Sequence, residues 1–309
     1  VRGQIENLIE NKVEKIKLAE AGIDTQTLKD ANIRFELNTI ILGAEGEEAT
    51  GNAEASLGIG FVSGFLIYIF IFMYGAMVMR GVIEEKTNRI IEVIISSVKP
   101  FQLMMGKIIG VALVGLTQFV LWMLLTLVLT TVAEGFVLSS PEMMANNFQG
   151  APMEKGMMMN QVSTAFGGIP LGQLAFAFLF YFLGGYLLYS SLFAAIGSAV
   201  DQEADTQQFM LPITIPLVLS FIMMQFIIDN PDGSLAYWFS MIPLTSPIIM
   251  MVRIPFGVPT GELLLSMGIL VAGFIFTTWI AAKIYRTGIL MYGKKVNYKE
   301  LWKWLTYKG

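Results

Sequence analysis

The side chains able to do chemistry are few in this sequence, and they cluster. Glu84, Glu85, Lys86, Arg89 and Glu92 fall within nine residues, at the head of "EEKTNRIIEVIISSVKPFQLMMGK" (84–107). A second, shorter group is Asp201, Glu203, Asp205 and Gln207. The chain has no histidine and no cysteine, which removes imidazole bases, thiol nucleophiles and the commonest zinc ligands. No catalytic, cofactor-binding or metal-ligating set is expected. What interleaved acids and bases can do is pair and recognise. Glu85 and Arg89 are spaced i,i+4 and Arg89 and Glu92 i,i+3, so they can pair along a helix. Ile83, Thr87, Ile90, Ile91 and Ile94 would then line another face. Spacing alone allows two readings: a helical loop lying in the lipid headgroups, or an element that docks a partner.

Both groups interrupt an apolar chain. Of 309 residues, 55% are hydrophobic and 14% charged, with a mean hydropathy of +0.64. Soluble domains carry about 25% charged residues, so this is a membrane protein. The net charge of -4 gives no reason to expect a nucleic-acid partner. Five apolar runs, near 58–79, 106–132, 171–199, 210–228 and 262–282, are long enough to cross a bilayer as helices. Gly184-Gly185 could interrupt the third, and Pro212 and Pro216 should bend the fourth. Gly60 and Gly64 have close-packing spacing on the first. Pro100 should turn the chain back towards the membrane.

Residues 1–57 read as water-soluble: a helical face through Ile5, Leu8, Ile9, Val13 and Ile16, strand-like "IRFELNTII", then the polar linker "GAEGEEATGNAEAS". The expected fold is therefore an all-α polytopic membrane protein, preceded by the end of a small α/β extracytoplasmic domain (1–57). The permease-like membrane part covers 58–285 and an amphipathic tail covers 286–309. In that tail Tyr298, Leu301, Trp302 and Leu305 share a face that suits the membrane surface.

Orientation follows from basic residues. Five lie in 80–107 and seven in 283–308, against single ones, Lys155 and Arg253, after the second and fourth runs. The positive-inside rule puts 80–107 and the tail in the cytoplasm. Five spans then leave 1–57 outside, which requires an upstream signal or span, so six spans are expected in the intact chain.

The stretch "EEKTNRIIEVIISSVKPFQLMMGKIIGVALVGLTQFVLW" (84–122) resembles the signature of type-2 ABC exporter permeases, and the similar branch is the NatB-like one. "IGSAVDQEADTQQFMLPITIPL" (196–217) and "IPLTSPIIMMVR" (242–253) support it. The resemblance implies a multi-pass permease of the bacterial cytoplasmic (inner) membrane, working as a homo- or heterodimer. It also implies that a separate ABC ATPase subunit binds ATP and Mg. Carried over, Glu84, Glu85, Lys86, Arg89 and Glu92, with Asp201, Glu203, Asp205 and Gln207, become the ATPase-coupling region. The segment 242–253 would form short helices dipping back from the outer surface. Sodium efflux is the branch's suggestion for substrate.

The chain has no G-x-x-x-x-G-K-[ST] sequence, so nucleotide binding falls to another chain. The alternatives are a secondary transporter or ion channel, an intramembrane enzyme, and a non-transporting assembly subunit. The first needs ionisable groups within the spans, whose centres hold only neutral polar residues such as Thr117, Gln118, Tyr181, Tyr186, Thr214, Gln225 and Thr277. The second would need a Ser-Lys or paired-Asp arrangement there, and none occurs. Met157-Met158-Met159 invites a copper(I) reading, but methionine is abundant throughout and a plain apolar loop suffices.

The cysteine-free background makes the orientation testable. Single cysteines at Thr50 and at Lys299 should react with a membrane-impermeant maleimide from opposite sides of intact cells. Labelling of both from the same side overturns this topology.

Overall fold

The structure is a computed structural model and describes residues 40–42, 48–50, 53–139, 171–293 and 297–306. These lie within one compact unit, Thr39–Gly309. Strands β1 (Ile40–Leu42) and β2 (Glu48–Thr50) pair antiparallel, Ile41 opposite Ala49. The rest of the expected α/β domain lies outside the described residues, as does Met157–Met159.

The other described elements are helices, most of them joined by short turns. The long helices are α1 (Ala53–Thr87), α3 (Pro100–Ser139), α4 (Leu171–Ala199), α5 (Thr206–Asp229) and α8 (Thr260–Gly288). The shorter ones are α2 (Ile90–Ile95), α6 (Ser234–Met241), α7 (Ser246–Arg253) and α9 (Tyr298–Thr306). The five long helices are apolar and long enough to cross a membrane.

Several helices run beyond the apolar sequence that announces them. The first begins at Ala53, inside the expected linker, and ends at Thr87 rather than near residue 79. Pro100 opens α3 at its first turn, where its missing N–H costs nothing, so the helix starts six residues before Gly106. The Gly184-Gly185 pair does not interrupt α4. Those glycines are contact points instead, with Pro247 and Ile71 packed where a Gly185 side chain would stand.

Helix α4 is the centre of the bundle. Two-thirds of its most apolar window (67%) is buried, against 17% to 28% for the other long helices. It packs chiefly on α1 and α8. In lipid, apolar area alone does not drive helices together, so small residues and interhelical hydrogen bonds must contribute. Tyr186 Oη donates to the Ile108 carbonyl (2.7 Å) and Tyr189 Oη to the Leu244 carbonyl (2.6 Å). Tyr74 Oη of α1 donates to Gln118 Oε1 of α3 (2.7 Å). Tyr186 and Gln118, among the neutral polar groups of the spans, thus serve as ties between helices.

Between α5 and α8 the chain dips inward and returns. All eight residues of α7 are buried, and a helix of that length rises only about 12 Å, too little to cross. Gly60 and Gly64 of α1 make room for it. A Cβ on Gly60 would stand 2.8 Å from the Val252 carbonyl oxygen, and one on Gly64 2.9 Å from Val252 Cγ2. The G-x-x-x-G spacing therefore serves this contact. At the far end of α7, Arg253 is 3% exposed and fully engaged. Its Nε donates to the Pro231 carbonyl (2.8 Å), Nη1 to Ser240 Oγ (2.7 Å) and Nη2 to Glu262 Oε2 (3.1 Å). Of the short helices expected in 242–253 the structure has one there, α7; α6 ends before that stretch, at Met241, and a 3₁₀ turn, Ile254–Phe256, follows α7.

Alanine gains about 1 kcal/mol over glycine in a helix. Gly110→Ala, where nothing lies within 4 Å, should accordingly be neutral or slightly stabilising. Gly60→Ala should destabilise by about 1–3 kcal/mol, because the obstructing atom is a backbone oxygen that cannot rotate away. Thermal unfolding in detergent checks the pair; equal midpoints would remove this contact from the list of constraints.

Candidate functional site

The end of α1, the starts of α2 and α3, the end of α4, the start of α5 and the end of α8 all meet at one end of the bundle. The charged residues of 80–107 and 200–209 are gathered there, although the two stretches are about 100 residues apart in sequence.

Lys86 is the centre of this cluster. Its side chain is 1% exposed. Nζ lies 2.9 Å from Asp201 Oδ1 and donates to the Ser198 carbonyl at 2.7 Å, with the Tyr292 ring centroid 5.8 Å away. Asp201 is held from two further directions. The Gly293 N–H donates to its Oδ2 (2.6 Å), and Thr87 Oγ1 donates to its backbone carbonyl (3.2 Å). One ammonium and one carboxylate thus join α1, the end of α4, the loop before α5 and the chain after α8. Burial, followed by the negative charge of Glu92, raises the Tyr292 hydroxyl above its ordinary pKa; Arg89 opposes this and Asp201 adds to it.

The helical pairing expected of Glu85 with Arg89 is not formed. Glu85 Oε2 lies 2.6 Å from Lys107 Nζ of α3. The continuous helix expected over 80–95 is broken, because Arg89 has φ 54°, in the left-handed region that L-residues enter at a cost of about 1–2 kcal/mol. The Arg89 N–H donates to the Lys86 carbonyl (3.0 Å), closing α1, and the Glu92 N–H to the Arg89 carbonyl (3.2 Å), opening α2. The expected face splits as a result: Ile91 is buried while its neighbour Ile90 is exposed. A left-handed arginine carries no sequence signal, since glycine or asparagine is the usual occupant of such a turn.

The nine residues singled out from sequence thus divide in two. Lys86, Glu85 and Asp201 are turned inward and paired. Glu84, Arg89, Glu92, Glu203, Asp205 and Gln207 are exposed around them. Of these Glu203 accepts from Arg80 (3.0 Å), a pair exposed on both sides. The tail helix α9 joins the same end. Tyr298 Oη donates to the Gln208 carbonyl (2.7 Å), its ring meets Phe209 edge-on, and Lys283 Nζ donates to the Leu305 carbonyl (3.1 Å). Trp302, placed on the tail's apolar face from spacing, is 70% exposed, whereas Trp304 is buried at 8%. Neighbouring helix ends select the inward face here, which the tail's own periodicity does not encode.

A helical, multi-pass membrane protein with an inward-dipping short helix and an ion-paired end is the class these features define. The sequence matches the ABC-2 family transporter protein family over residues 2–283, and the chain belongs to that family. It is similar to "Uncharacterized protein YhaP" of Bacillus subtilis (strain 168), 29% identical over 92% of this chain and 63% of that one. It is also similar to "Uncharacterized protein MJ1024" of Methanocaldococcus jannaschii, 28% identical over 95% of this chain and 64% of that one. The chain therefore spans a little under two-thirds of the length of either relative. No solved structure matches it significantly.

Removing one partner of a fully buried pair costs about 3–5 kcal/mol. Asp201 keeps 30% exposure, so Lys86→Met should cost about 2–3 kcal/mol, and adding Asp201→Asn should restore part of it. Glu203→Gln should change stability by only about 0–1 kcal/mol, as exposed pairs do. Chemical unfolding in detergent measures all three. An equal loss for Glu203→Gln and Lys86→Met would show that burial does not distinguish the two pairs.

Proposed function

We propose that this chain is the membrane-spanning permease part of an ATP-driven ABC exporter of the NatB-like branch. It takes its energy from a separate ATPase subunit that binds ATP and Mg. The observation that carries the reading is the two-layered charged end. The inner layer (Lys86, Asp201, Glu85, Lys107) ties helix ends together, leaving an outer layer of exposed acids and one arginine beside a strained turn. Exposed acids such as Glu84, Glu92 and Asp205 are disfavoured against anionic headgroups, which argues against a loop lying on the lipid. A soluble motor subunit gives them partners. Family membership supports the same reading.

In this reading the ion-paired end is cytoplasmic, as its basic residues suggest, and residues 1–57 are outside the bacterial cytoplasmic membrane. The exposed apolar flank of α3, Val120 to Leu125 with Trp122 among them, is covered by lipid or by a second permease subunit. Neutral, aromatic-rich spans suit an amphipathic organic molecule, and sodium is the other candidate cargo. Conformational change requires a ligand that binds two states differently; here that ligand is ATP acting through the partner.

The test uses the full-length permease in liposomes, with and without its ATPase, followed with radiolabelled sodium and a fluorescent amphipathic dye. Accumulation against a gradient should require the ATPase and ATP, and imposed proton or sodium gradients should not replace them. Reversing both Glu84 and Arg89 (E84K/R89E) should cut ATP-driven transport by about tenfold or more through like-charge contacts at the motor, leaving membrane insertion intact. Uphill transport by the permease alone, or full activity of the reversed variant, overturns the reading.

A further inference from the structure

On the flank of the same end a groove of about 430 Å³ opens between the first turn of α3 and the last turns of α8. Three cations line it, Lys99, Lys283 and Arg286, together with the exposed rings of Phe101 and Trp279. Three other basic residues at this end are each neutralised by a carboxylate: Arg80 by Glu203, Lys86 by Asp201, Lys107 by Glu85. Those of the groove are not. Lys99 and Arg286 have no carboxylate partner among the described residues, and Lys283 Nζ rests on the Trp279 ring (4.1 Å) and the Leu305 carbonyl.

Its position narrows what could fill it. The groove lies where two membrane-length helices end, so its apolar wall reaches the acyl region and its cations reach the headgroup level. Trp279 stacks on Phe276, and both are exposed on the outer face of α8. Exposed tryptophan at a helix end is the usual marker of a membrane–water interface. Lys283 sets its ammonium over the face of that ring, a cation–π contact at the groove's edge. A soluble anion would satisfy the cations but not the aromatic wall. A zwitterionic lipid would cover the wall, but its own cation would offset its phosphate and leave a net positive rim, since none of the three cations has a carboxylate partner among the described residues.

From this we infer that the groove is a binding site for an anionic phospholipid. Its phosphate is held by Lys99, Lys283 and Arg286, and the start of an acyl chain lies along Trp279 and Phe101. Basic grooves between membrane helices recognise headgroups in this way, each cation contributing through proximity and through fixed geometry. The inference is independent of the ATPase reading, since it uses only the helix ends and the groove's own residues.

The experiment is native mass spectrometry of the full-length protein released from nanodiscs of equal phosphatidylglycerol and phosphatidylcholine. Brominated phosphatidylglycerol serves in parallel as a quencher of tryptophan fluorescence. Wild type should retain phosphatidylglycerol preferentially, and its quenching should fall in Trp279→Phe. Lys99→Gln with Arg286→Gln should weaken retention by about tenfold or more. Lys99→Arg with Arg286→Lys should keep it. Both residues are exposed, so folding is not at stake, and Lys299→Gln with Lys303→Gln on the tail serves as the control for basic surface in general. Equal retention of the two lipids overturns the site. So does equal loss in the tail variant, complete displacement by millimolar inorganic phosphate, or loss of subunit association in place of lipid when the groove is neutralised.

Discussion

An ammonium group at the end of an apolar helix cannot be left without partners once water is excluded from it. Lys86 is that group, and the ion-paired end of the molecule is arranged to satisfy it. Desolvating a charge costs several kcal/mol unless geometry and hydrogen bonds restore it. Here the restoring groups come from the Ser198 carbonyl at the end of α4 and from Asp201 in the loop that follows. The second carboxylate oxygen of Asp201 in turn accepts from the Gly293 N–H, and Thr87 Oγ1 holds the Asp201 backbone carbonyl. Four chain segments converge because one buried charge needs partners none of them supplies alone.

The other end of the bundle obeys the same rule with a different cation. Arg253 closes the inward-dipping helix α7 by donating to a carbonyl, a hydroxyl and a carboxylate from three different segments. Guanidinium suits this place because its donors are fixed in a plane and it stays charged when buried. Between the two ends no charged pair occurs among the described residues. Tyrosine hydroxyls and close backbone contacts hold α4 to its neighbours, which agrees with the cost of charge at bilayer depth.

Much of this was legible in the sequence, for identifiable reasons. Long apolar runs fix membrane helices because only a helix satisfies its own backbone in lipid, so all five were readable to within a few residues at their inner parts. Their ends were not, because Thr87, Pro100 and Gly288 terminate helices beyond the hydrocarbon-length stretch, where capping and tertiary contacts decide. The two charged clusters were readable as clusters. Their partners were not: i,i+4 spacing suggested Glu85 with Arg89, while the fold gives Glu85 to Lys107 and turns Arg89 into a left-handed corner. Tertiary proximity outweighed local spacing because the buried lysine of α3 needs a counter-charge more than an exposed arginine does. The tail shows the same limit, where Trp304 rather than Trp302 faces inward.

The two ends are not independent parts, and α1 and α4 are the reason. At the charged end Lys86 fastens α1 to the last turn of α4, where Gly197 brings the chains so close that a Cβ would stand 2.7 Å from the Met79 carbonyl oxygen. Towards the opposite end the same two helices grip α7, through Gly60 and Gly64 on one side and Gly185 on the other. Helices pressed together at backbone contact cannot slide without breaking several such contacts at once, and close-packed interiors change between discrete arrangements rather than by gradual flow. The pair is therefore fastened at both ends. Outside that pair lie the strained corner at Arg89 and the short turn from Gln202 to Asp205. Both lie beside the exposed charges, whereas α7 is gripped by the tightly packed pair.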